Sequence, residues 1–295
     1  MNGILFLSAS LVIGPVFGGL LEGLSRILSA RLQGRVGPPL LQPFFDVGKL
    51  FAKSDSQVTR LQIVHIVSFL FFTVLACAIF FSGGDILLFF FCLTLANVFM
   101  VLAGYSSSSP FSHIGAEREL IQLLAYEPMF ILTFVGIYIL TGSFVIKDIM
   151  AYPHMIAWAL PGCLIGMVPV ILIKLQKSPF DLSASHHPHQ ELVKGITSDF
   201  SGPTLGFIEI AHWYKYSYLT AFIALFFGNV WWAGLLGVAV VYLVVVFIDN
   251  SFGRFTYKQT LRSIWTTTLV FGFGNVFVLY LVKFFIPALG GTIVR

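Results

Sequence analysis

The fold of this chain is decided by residues 62–104, which read QIVHIVSFLFFTVLACAIFFSGGDILLFFFCLTLANVFMVLAG. They form two apolar runs, 62–81 and 85–104, separated only by Ser82-Gly83-Gly84. A helix needs about 20 apolar residues to cross a bilayer. Because the backbone finds no water in hydrocarbon, each run is predicted to be a transmembrane helix. The three residues between the runs predict a tight hairpin.

The composition of the whole chain agrees with a membrane protein. Of its 295 residues, 57% are hydrophobic and only 10% are charged, whereas soluble domains carry about 25% charged residues. This balance excludes an ordinary soluble fold, a disordered chain and a collagen. Three cysteines make no disulfide framework. The first ten residues contain no Lys or Arg, so they do not form the basic start of a cleaved signal peptide.

We therefore predict an all-α, polytopic membrane protein, with residues 1–295 forming one transmembrane domain. Two long loops, about 25–61 and 176–205, connect its helices. No internal repeat is visible, which disfavours an autonomous transporter built from inverted halves. Eight spans are predicted, at about 3–24, 62–81, 85–104, 119–140, 155–175, 206–227, 230–249 and 264–285.

The distribution of basic residues predicts the orientation of these spans. Thirteen of the 17 Lys and Arg residues follow odd-numbered helices. Basic residues accumulate on the cytoplasmic side of membrane proteins, so both long loops are predicted to be cytoplasmic and both termini outside. The thirteen residues are Arg26, Arg31, Arg35, Lys49, Lys53, Arg60, Arg118, Lys174, Lys177, Lys194, Arg254, Lys258 and Arg262.

The first long loop contains an amphipathic segment at about 40–51. Apolar residues alternate there with Asp46, Lys49 and Lys53, a pattern typical of a helix lying at the membrane interface. Long ordered loops often dock a partner. The alternative is a surface helix that only anchors the bundle.

Ionisable residues within predicted spans mark candidate functional positions, because a charge at the bilayer centre costs several kcal/mol. Glu22 and Arg26 are spaced i, i+4 and are expected to pair on one helix face. The pair is either part of the functional site or a structural ion pair near the end of the helix. Glu209 and His212, with Lys215, give the sixth predicted span a polar stripe.

The fourth predicted span carries two carboxylates. Glu119, Gln122 and Tyr126 form an i, i+3, i+7 stripe, and Glu127 lies about 80° away from Glu119 on the helical wheel. This spacing favours a proton relay through bound water. The alternative for Glu119 is a helix-start carboxylate favoured by the macrodipole.

The second long loop combines acids with histidines: Asp181, His186, His187, His189, Glu191 and Asp199. A zinc site is one interpretation. No cysteine accompanies the histidines, so a titrating cluster at the cytoplasmic face is favoured.

Several chemistries have no sequence support. Cys77, Cys92 and Cys163 lie singly in apolar runs, without the spacing that iron–sulfur clusters require. Phosphate-loop, dinucleotide-binding and nucleophile-elbow motifs are absent, and nothing supports nucleic-acid binding. Metal and redox cofactors are therefore expected in partner subunits and not in this chain.

Three segments together resemble one family of membrane subunits. Residues 30–50, ARLQGRVGPPLLQPFFDVGKL, resemble the first cytoplasmic loop of the quinone-channel subunit of complex I (NuoH). Residues 115–128, GAERELIQLLAYEP, resemble that family's Gly-x-x-Arg-x-x-x-Gln-x-x-x-Tyr-Glu pattern. The loop SPFDL…ELVKG…DFSG is similar to the family's Pro-Phe-Asp-Leu…Glu-Leu-x-x-Gly…Tyr-Ser-Gly pattern. The three segments occur in the family's order, and the resemblance covers nearly the whole chain.

Within this superfamily the chain looks closer to the hydrogenase branch (EchB, HycD). The stretch 37–42, GPPLLQ, is shorter than its complex I counterpart, and HQELVKG and IEIAHWYK are also similar to that branch. The resemblance implies a membrane anchor for an Ech-type NiFe hydrogenase or formate hydrogenlyase. Its partners would be hydrogenase large and small subunits, iron–sulfur subunits and antiporter-like membrane subunits. The alternatives are a quinone-chamber subunit of complex I and, in another class, an autonomous proton-coupled transporter.

The resemblance also implies roles for the candidate residues. The implied proton pathway consists of Glu119, Gln122, Tyr126, Glu127, Asp181, Glu191, Glu209 and His212. The implied docking residues for the peripheral module are Arg26, Arg31, Arg35, Asp46, Lys49 and Arg118. The chain departs from the family at Ser25, where an acid is usual, and at His212, which stands in place of a glutamate.

Overall fold

A computed structural model describes residues 2–54, 59–183, 195–228 and 230–285, and within these ranges the chain is almost entirely helical. The β-structure in these ranges is one isolated bridge between Asp85 and Val145. The all-α prediction is therefore confirmed. The helices are α1 (Asn2–Leu32), α2 (Gln42–Phe51), α3 (Arg60–Phe81), α4 (Ile86–Tyr105), α5 (Pro110–Thr141), α6 (Ile146–Met150), α7 (Ile156–Ala159), α8 (Pro161–Lys174), α9 (Gly202–Leu225), α10 (Trp231–Ser251), α11 (Tyr257–Thr267) and α12 (Gly274–Phe285), with a π-helical segment, Thr268–Phe273, joining the last two.

Within the described ranges, six helical stretches are long and apolar enough to cross a membrane. The other two predicted spans correspond to α8, which has only 14 residues, and to α9, which is long enough but carries Glu209, His212 and Lys215. The six stretches are Leu11–Leu32, Arg60–Phe81, Ile86–Tyr105, Pro110–Thr141, Trp231–Ser251 and Tyr257–Phe285.

Helix boundaries differ from the sequence prediction where a charged residue interrupts an apolar run. Helix α1 continues to Leu32, so Arg26 and Arg31 lie in this helix and not in the predicted loop 25–61. Likewise α5 begins at Pro110, which places Arg118 within it. Charged side chains lower the mean hydropathy of a segment, but they do not end its helix. The backbone hydrogen bonds continue through them, and an i, i+4 ion pair favours the helix.

The tight hairpin between α3 and α4 is confirmed. Gly83 adopts φ +75°, a conformation that glycine tolerates and other residues resist. The side chain of Asp85 then caps α4 by accepting hydrogen bonds from the amides of Leu87 (2.7 Å) and Leu88 (3.2 Å).

Helix α9 packs against α1, α2, α3 and α10. The contact with α1 is so close that a Cβ added at Gly18 would lie 1.8 Å from the carbonyl oxygen of Trp213. The bundle has two ends. The long-loop end contains residues 33–54, 59, 175–183 and 195–201, and the hairpin end contains residues 82–85 and 142–155.

An aromatic layer fills the bundle toward the hairpin end. Its neighbouring rings have centroids 5.0–6.0 Å apart, and all of them are buried. Such tilted and edge-to-face pairs are the favoured aromatic geometries. The layer draws on α3, α4, α5, α9 and the turn after α9, and consists of Phe80, Phe89, Phe90, Phe130, Phe134, Phe222 and Phe226.

Candidate functional site

A polar cavity of about 620 Å³ opens at the long-loop end of the bundle. It lies between the C-terminal part of α1, the first half of α9, the end of α10 and the segment after α8. Its described lining is Glu22, Ser25, Arg26, Ser29, Gln33, Leu175, Gln176, Lys177, Ser178, Asp181, Glu209, His212, Tyr216, Asp249, Asn250 and Arg254.

Arg26 joins α1 to the interface helix α2. Its guanidinium donates hydrogen bonds to Glu22 Oε1 (2.5 Å) and to Asp46 Oδ2 (2.8 Å). The predicted i, i+4 pair is therefore confirmed, and Asp46 completes it. Trp213 of α9 donates from Nε1 to the second oxygen of Glu22, at 2.7 Å.

The carboxyl group of Asp46 is held in its ionised form. Partial burial raises its pKa, but hydrogen bonds from Arg26 and Gln42 outweigh that effect, so the pKa lies below its usual value. The Gln42 bond spans 2.9 Å from Nε2 to Oδ1. Helix α2 is the predicted amphipathic helix, and its Asp46 faces α1 instead of projecting freely from the surface.

Two further ion pairs cross the cavity. The ammonium of Lys177 lies 3.0 Å from Asp249 Oδ2 and donates to Ser25 Oγ at 2.8 Å. Arg254 Nε lies 3.6 Å from Asp181 Oδ1, and its guanidinium also donates to the backbone carbonyl of Asp181. Ion pairs and hydrogen bonds in the cavity thus connect α1, α10 and the segment after α8.

A second polar region, the interior row, lies deeper in the bundle and consists of Glu119, Glu127, Lys174 and Lys215. Glu119, Lys174 and Lys215 are only 7%, 5% and 4% exposed. Among the described residues, Glu119 Oε2 and Glu127 Oε1 have no hydrogen-bond partner. Lys174 interacts electrostatically with both carboxylates and with Lys215.

Polar side chains of α5 surround the interior row and extend it toward the cavity. The Lys174 ammonium lies 4.4 Å from the ring centroid of Tyr126, a cation–π distance. Asn97 donates to the Tyr126 hydroxyl at 3.3 Å. Gln122 donates to the carbonyl of Phe180 at 2.6 Å, and Phe180 directly precedes Asp181 of the cavity.

The structure separates the predicted site residues into these two regions. Glu119, Gln122, Tyr126 and Glu127 belong to the interior, as their shared helix predicted. Asp181, Glu209 and His212 line the cavity. Glu191, His186, His187, His189 and Lys194 lie outside the described residues.

The predicted docking residues have different environments. Arg26 and Asp46 bind each other, whereas Arg31, Arg35 and Lys49 are exposed at the long-loop end and Arg118 is half-buried in α5. Asp199 of the second loop accepts a hydrogen bond from the Ser109 amide at 3.1 Å and another from the Ser107 hydroxyl, which ties that loop to the α4–α5 turn.

Sequence reasoning missed the role of Lys174, which it counted only among the basic residues that set the orientation, although the predicted span 155–175 contains it. Lys174 ends α8 and is buried between α5 and α9. The apolar run 167–173 directly before it was an available signal. Asp249 and Trp213 were also missed, because their partners Lys177 and Glu22 are 72 and 191 residues away.

The part of the chain described by the structure contains no group of three or more His, Cys, Asp or Glu side chains that could hold a metal ion. Cys77, Cys92 and Cys163 are buried and form no disulfide.

A bundle of apolar helices with a charged cavity at one end and ionisable groups buried in its interior places the chain in the class of polytopic membrane proteins with polar interiors. The particular family follows from comparison with known proteins. The family described as NADH dehydrogenase matches residues 4–280, and the chain belongs to it.

Individual relatives confirm the resemblance to the NuoH and hydrogenase subunits. Hydrogenase-4 component C of Escherichia coli (strain K12) is 30% identical over 226 residues, covering 71% of this chain and 70% of the relative. The NuoH-type component of the NADH-quinone oxidoreductase of Bacillus cytotoxicus is 28% identical over 309 residues, covering 92% and 90%. A chain of the membrane-bound sulfane sulfur reductase, an archaeal respiratory membrane complex, shares the fold with a TM-score of 0.85 at 23% identity, covering 95% of this chain and 100% of that one.

Proposed function

We propose that this chain is the membrane-anchor and coupling subunit of an energy-converting, Ech-type NiFe hydrogenase or a related complex. It links a cytoplasmic hydrogen-evolving module, supplied with electrons by ferredoxin or formate, to proton or sodium translocation. The partners are the hydrogenase large and small subunits, the iron–sulfur subunits of the peripheral arm and antiporter-like membrane subunits. The nickel–iron centre and the clusters belong to those partners, and this chain holds no cofactor.

One feature of the molecule carries this function: the polar cavity leads to the interior row through Gln122 and Phe180. A charge change in a module bound at the long-loop end acts first on Asp181, Glu209 and His212, which line the cavity. Glu119 and Glu127 respond next, because carboxyl oxygens without hydrogen-bond partners change protonation without breaking an ion pair. In this pathway Gln122 connects α5 to the segment that carries Asp181, and Tyr126 lies against Lys174. Glu191 belongs to the same proposed pathway.

The same proposal assigns the docking surface and the orientation. Exposed Arg31, Arg35 and Lys49, together with Arg118 and the Arg26–Asp46 pair, bind the peripheral module at the long-loop end. That end is cytoplasmic, the chain crosses the cell inner membrane eight times through α8 and α9 as well as the six apolar stretches, and both termini lie outside. The excess of basic residues at the long-loop end supports this orientation.

A second candidate is the quinone-chamber subunit of a respiratory NADH:quinone oxidoreductase. The match to the Bacillus cytotoxicus oxidoreductase component over 92% of the chain favours it. The cavity lining favours the hydrogenase branch, because Leu175 is the one aliphatic residue among the described lining residues. A quinone with an isoprenoid tail requires a largely apolar pocket.

The deciding experiment is purification of the tagged complex, followed by measurement of its nickel, iron and quinone content and of hydrogen evolution. Nickel and hydrogen evolution support the hydrogenase branch. Stoichiometric quinone without nickel supports the quinone-chamber alternative. Isolation of the chain as an active monomer that moves protons without redox partners would contradict both.

A further inference from the structure

Lys174 is the most unusual charged group in the interior of the bundle. Two lysines and two carboxylates make up the interior row, so their formal charges sum to zero. In the part of the chain the structure describes, none of the four forms an ion pair within 4.0 Å. A permanently charged, unpaired group at such a position costs several kcal/mol. A group that can lose its charge avoids much of this cost.

Lys174 and Lys215 differ in what surrounds them. Lys174 interacts electrostatically with Glu119 and Glu127, which lie about two turns apart on α5, whereas the carboxylate that acts on Lys215 is Glu119. The Lys174 ammonium lies over the ring of Tyr126, at 4.4 Å, and near Phe130, at 5.9 Å. Aromatic faces stabilise a cation without fixing it as a carboxylate would.

We propose that Lys174 is a proton-exchanging group that passes a proton between Glu119 and Glu127. This inference rests on the proposed coupling function. In the forward step an N–H bond of the ammonium breaks and an O–H bond forms at Glu127 Oε1. The ammonium becomes an amine, the carboxylate becomes a carboxylic acid, and the summed charge of the row is unchanged. A protonated Glu119 then returns a proton to the amine, so the net transfer is from Glu119 to Glu127.

The geometry suits this role. A lysine has a flexible four-carbon stem and a pKa that shifts readily on burial, so its amine can approach each carboxylate in turn, directly or through water. Tyr126, Tyr218 and Lys215 are further ionisable groups in this part of the described interior.

The test compares substitutions that separate charge from proton exchange. Arginine keeps the charge but does not deprotonate in proteins, and methionine keeps the length without either property. We would measure proton uptake per electron transferred, in sealed vesicles containing the assembled complex with its own electron donor. Lys174→Arg and Lys174→Met should both lower this ratio about tenfold or more, while Lys147→Arg, a control at an exposed lysine of α6 outside the interior row, should keep it.

Two results of this comparison would overturn the proposal. If Lys174→Arg keeps the wild-type ratio, Lys174 is a fixed cation and exchanges no proton. If Lys147→Arg lowers the ratio as much as Lys174→Arg does, the loss is not specific to the interior row.

Infrared spectroscopy gives a measurement that does not depend on assembly of the Lys174 variants. During a pH jump on the purified wild-type complex, the carboxylic acid bands should change, and Glu127→Gln should remove the part of that change that belongs to Glu127. An unchanged spectrum would contradict proton exchange at Glu127, whatever the identity of the redox module. Failure of the proposed function is separate: it would appear as a wild-type complex that transfers electrons without forming a gradient.

Discussion

The polar cavity and the interior row contain the same kinds of charged residue in opposite arrangements. In the cavity each cation has a carboxylate partner: Arg26 pairs with Glu22 and Asp46, and Lys177 pairs with Asp249. In the interior row, Glu119 and Glu127 each have an oxygen without a hydrogen-bond partner in the described ranges. The more exposed region has the fixed charges, and the more buried region has the unpaired ones.

This difference separates structural charge from charge that can change. A paired group is anchored at both ends, so its protonation state is fixed and its bond holds two elements together. The cavity pairs join α1 to α2 and the segment after α8 to α10. An unpaired buried carboxyl group gains nothing from remaining ionised, and a single proton changes its charge. We therefore expect substitutions in the pairs Arg26–Asp46 and Lys177–Asp249 to affect stability and those in the interior row to affect coupling.

The largest expected difference between the cavity and the interior row is in the accessibility of their residues to a water-soluble reagent. A cysteine introduced at Gln33, which lines the cavity, should react with a membrane-impermeant maleimide in inside-out vesicles and not in intact cells. The native Cys77, Cys92 and Cys163 are buried and serve as internal controls that should stay unlabelled in both. Labelling of Gln33→Cys in intact cells would contradict a cytoplasmic cavity.

The next largest effect is expected in the interior. Glu127→Gln keeps the shape of the side chain but removes its titrating proton, so the proton gradient per electron should fall about tenfold or more while electron transfer from a soluble donor persists. Glu119→Gln should show a similar defect. Because groups in series are not additive, the double variant should be no worse than the poorer single variant. Full gradients in both single variants, measured in sealed vesicles, would exclude the relay.

Substitutions in the Lys177–Asp249 pair of the cavity should lower the thermal stability of the complex. Lys177→Ala or Asp249→Asn leaves one charge of the pair without its partner. The side chains are 12% and 21% exposed, so each change should cost less than the ~3–5 kcal/mol of a fully buried pair. The thermal midpoint of the purified complex should fall in each variant, with a smaller further loss in the double variant. A change in gradient per electron without loss of stability would contradict the comparison.

The smallest effect is expected at Asp46, which is 40% exposed. Its native pKa lies below the ordinary value of 3.8, so its pair with Arg26 contributes stability that is fully present above that value. This contribution is lost as the pH falls through the native pKa. Asp46→Asn should be slightly less stable than wild type at neutral pH and equally stable in acid. A thermal midpoint series from pH ~6 to ~3 measures this.

Local patterns predicted much of this molecule. Apolar runs predicted the α3–α4 hairpin, and i, i+4 spacing predicted the Glu22–Arg26 pair. The positions of Glu119 and Glu127 about two turns apart predicted that both lie in the interior of the bundle, because one helix carries both. Each of these features depends on residues close together in the chain.

The features that sequence reasoning missed depend on distant residues. Asp249 meets Lys177 only because α10 returns to the long-loop end. Lys174 stands at the end of the predicted span 155–175, where a basic residue usually reaches the cytoplasmic surface, and the packing of α5 and α9 buries it instead. Likewise the charges at Glu22 and Arg26 lower hydropathy, although the helix that carries them continues to Leu32.

The aromatic layer has an electrical consequence. Glu119 and Glu127 precede Phe130 on α5, and Lys215 precedes Phe222 on α9, so the interior row lies on the long-loop side of the layer. An apolar slab has a low dielectric constant, and most of a transmembrane voltage falls across it and little across a polar cavity. Each elementary charge crossing 100 mV exchanges ~2.3 kcal/mol with the field. Protonation of the interior row should therefore be nearly independent of the transmembrane voltage. Electrical work is done where a charge crosses the aromatic layer, or where it crosses the membrane through a neighbouring subunit.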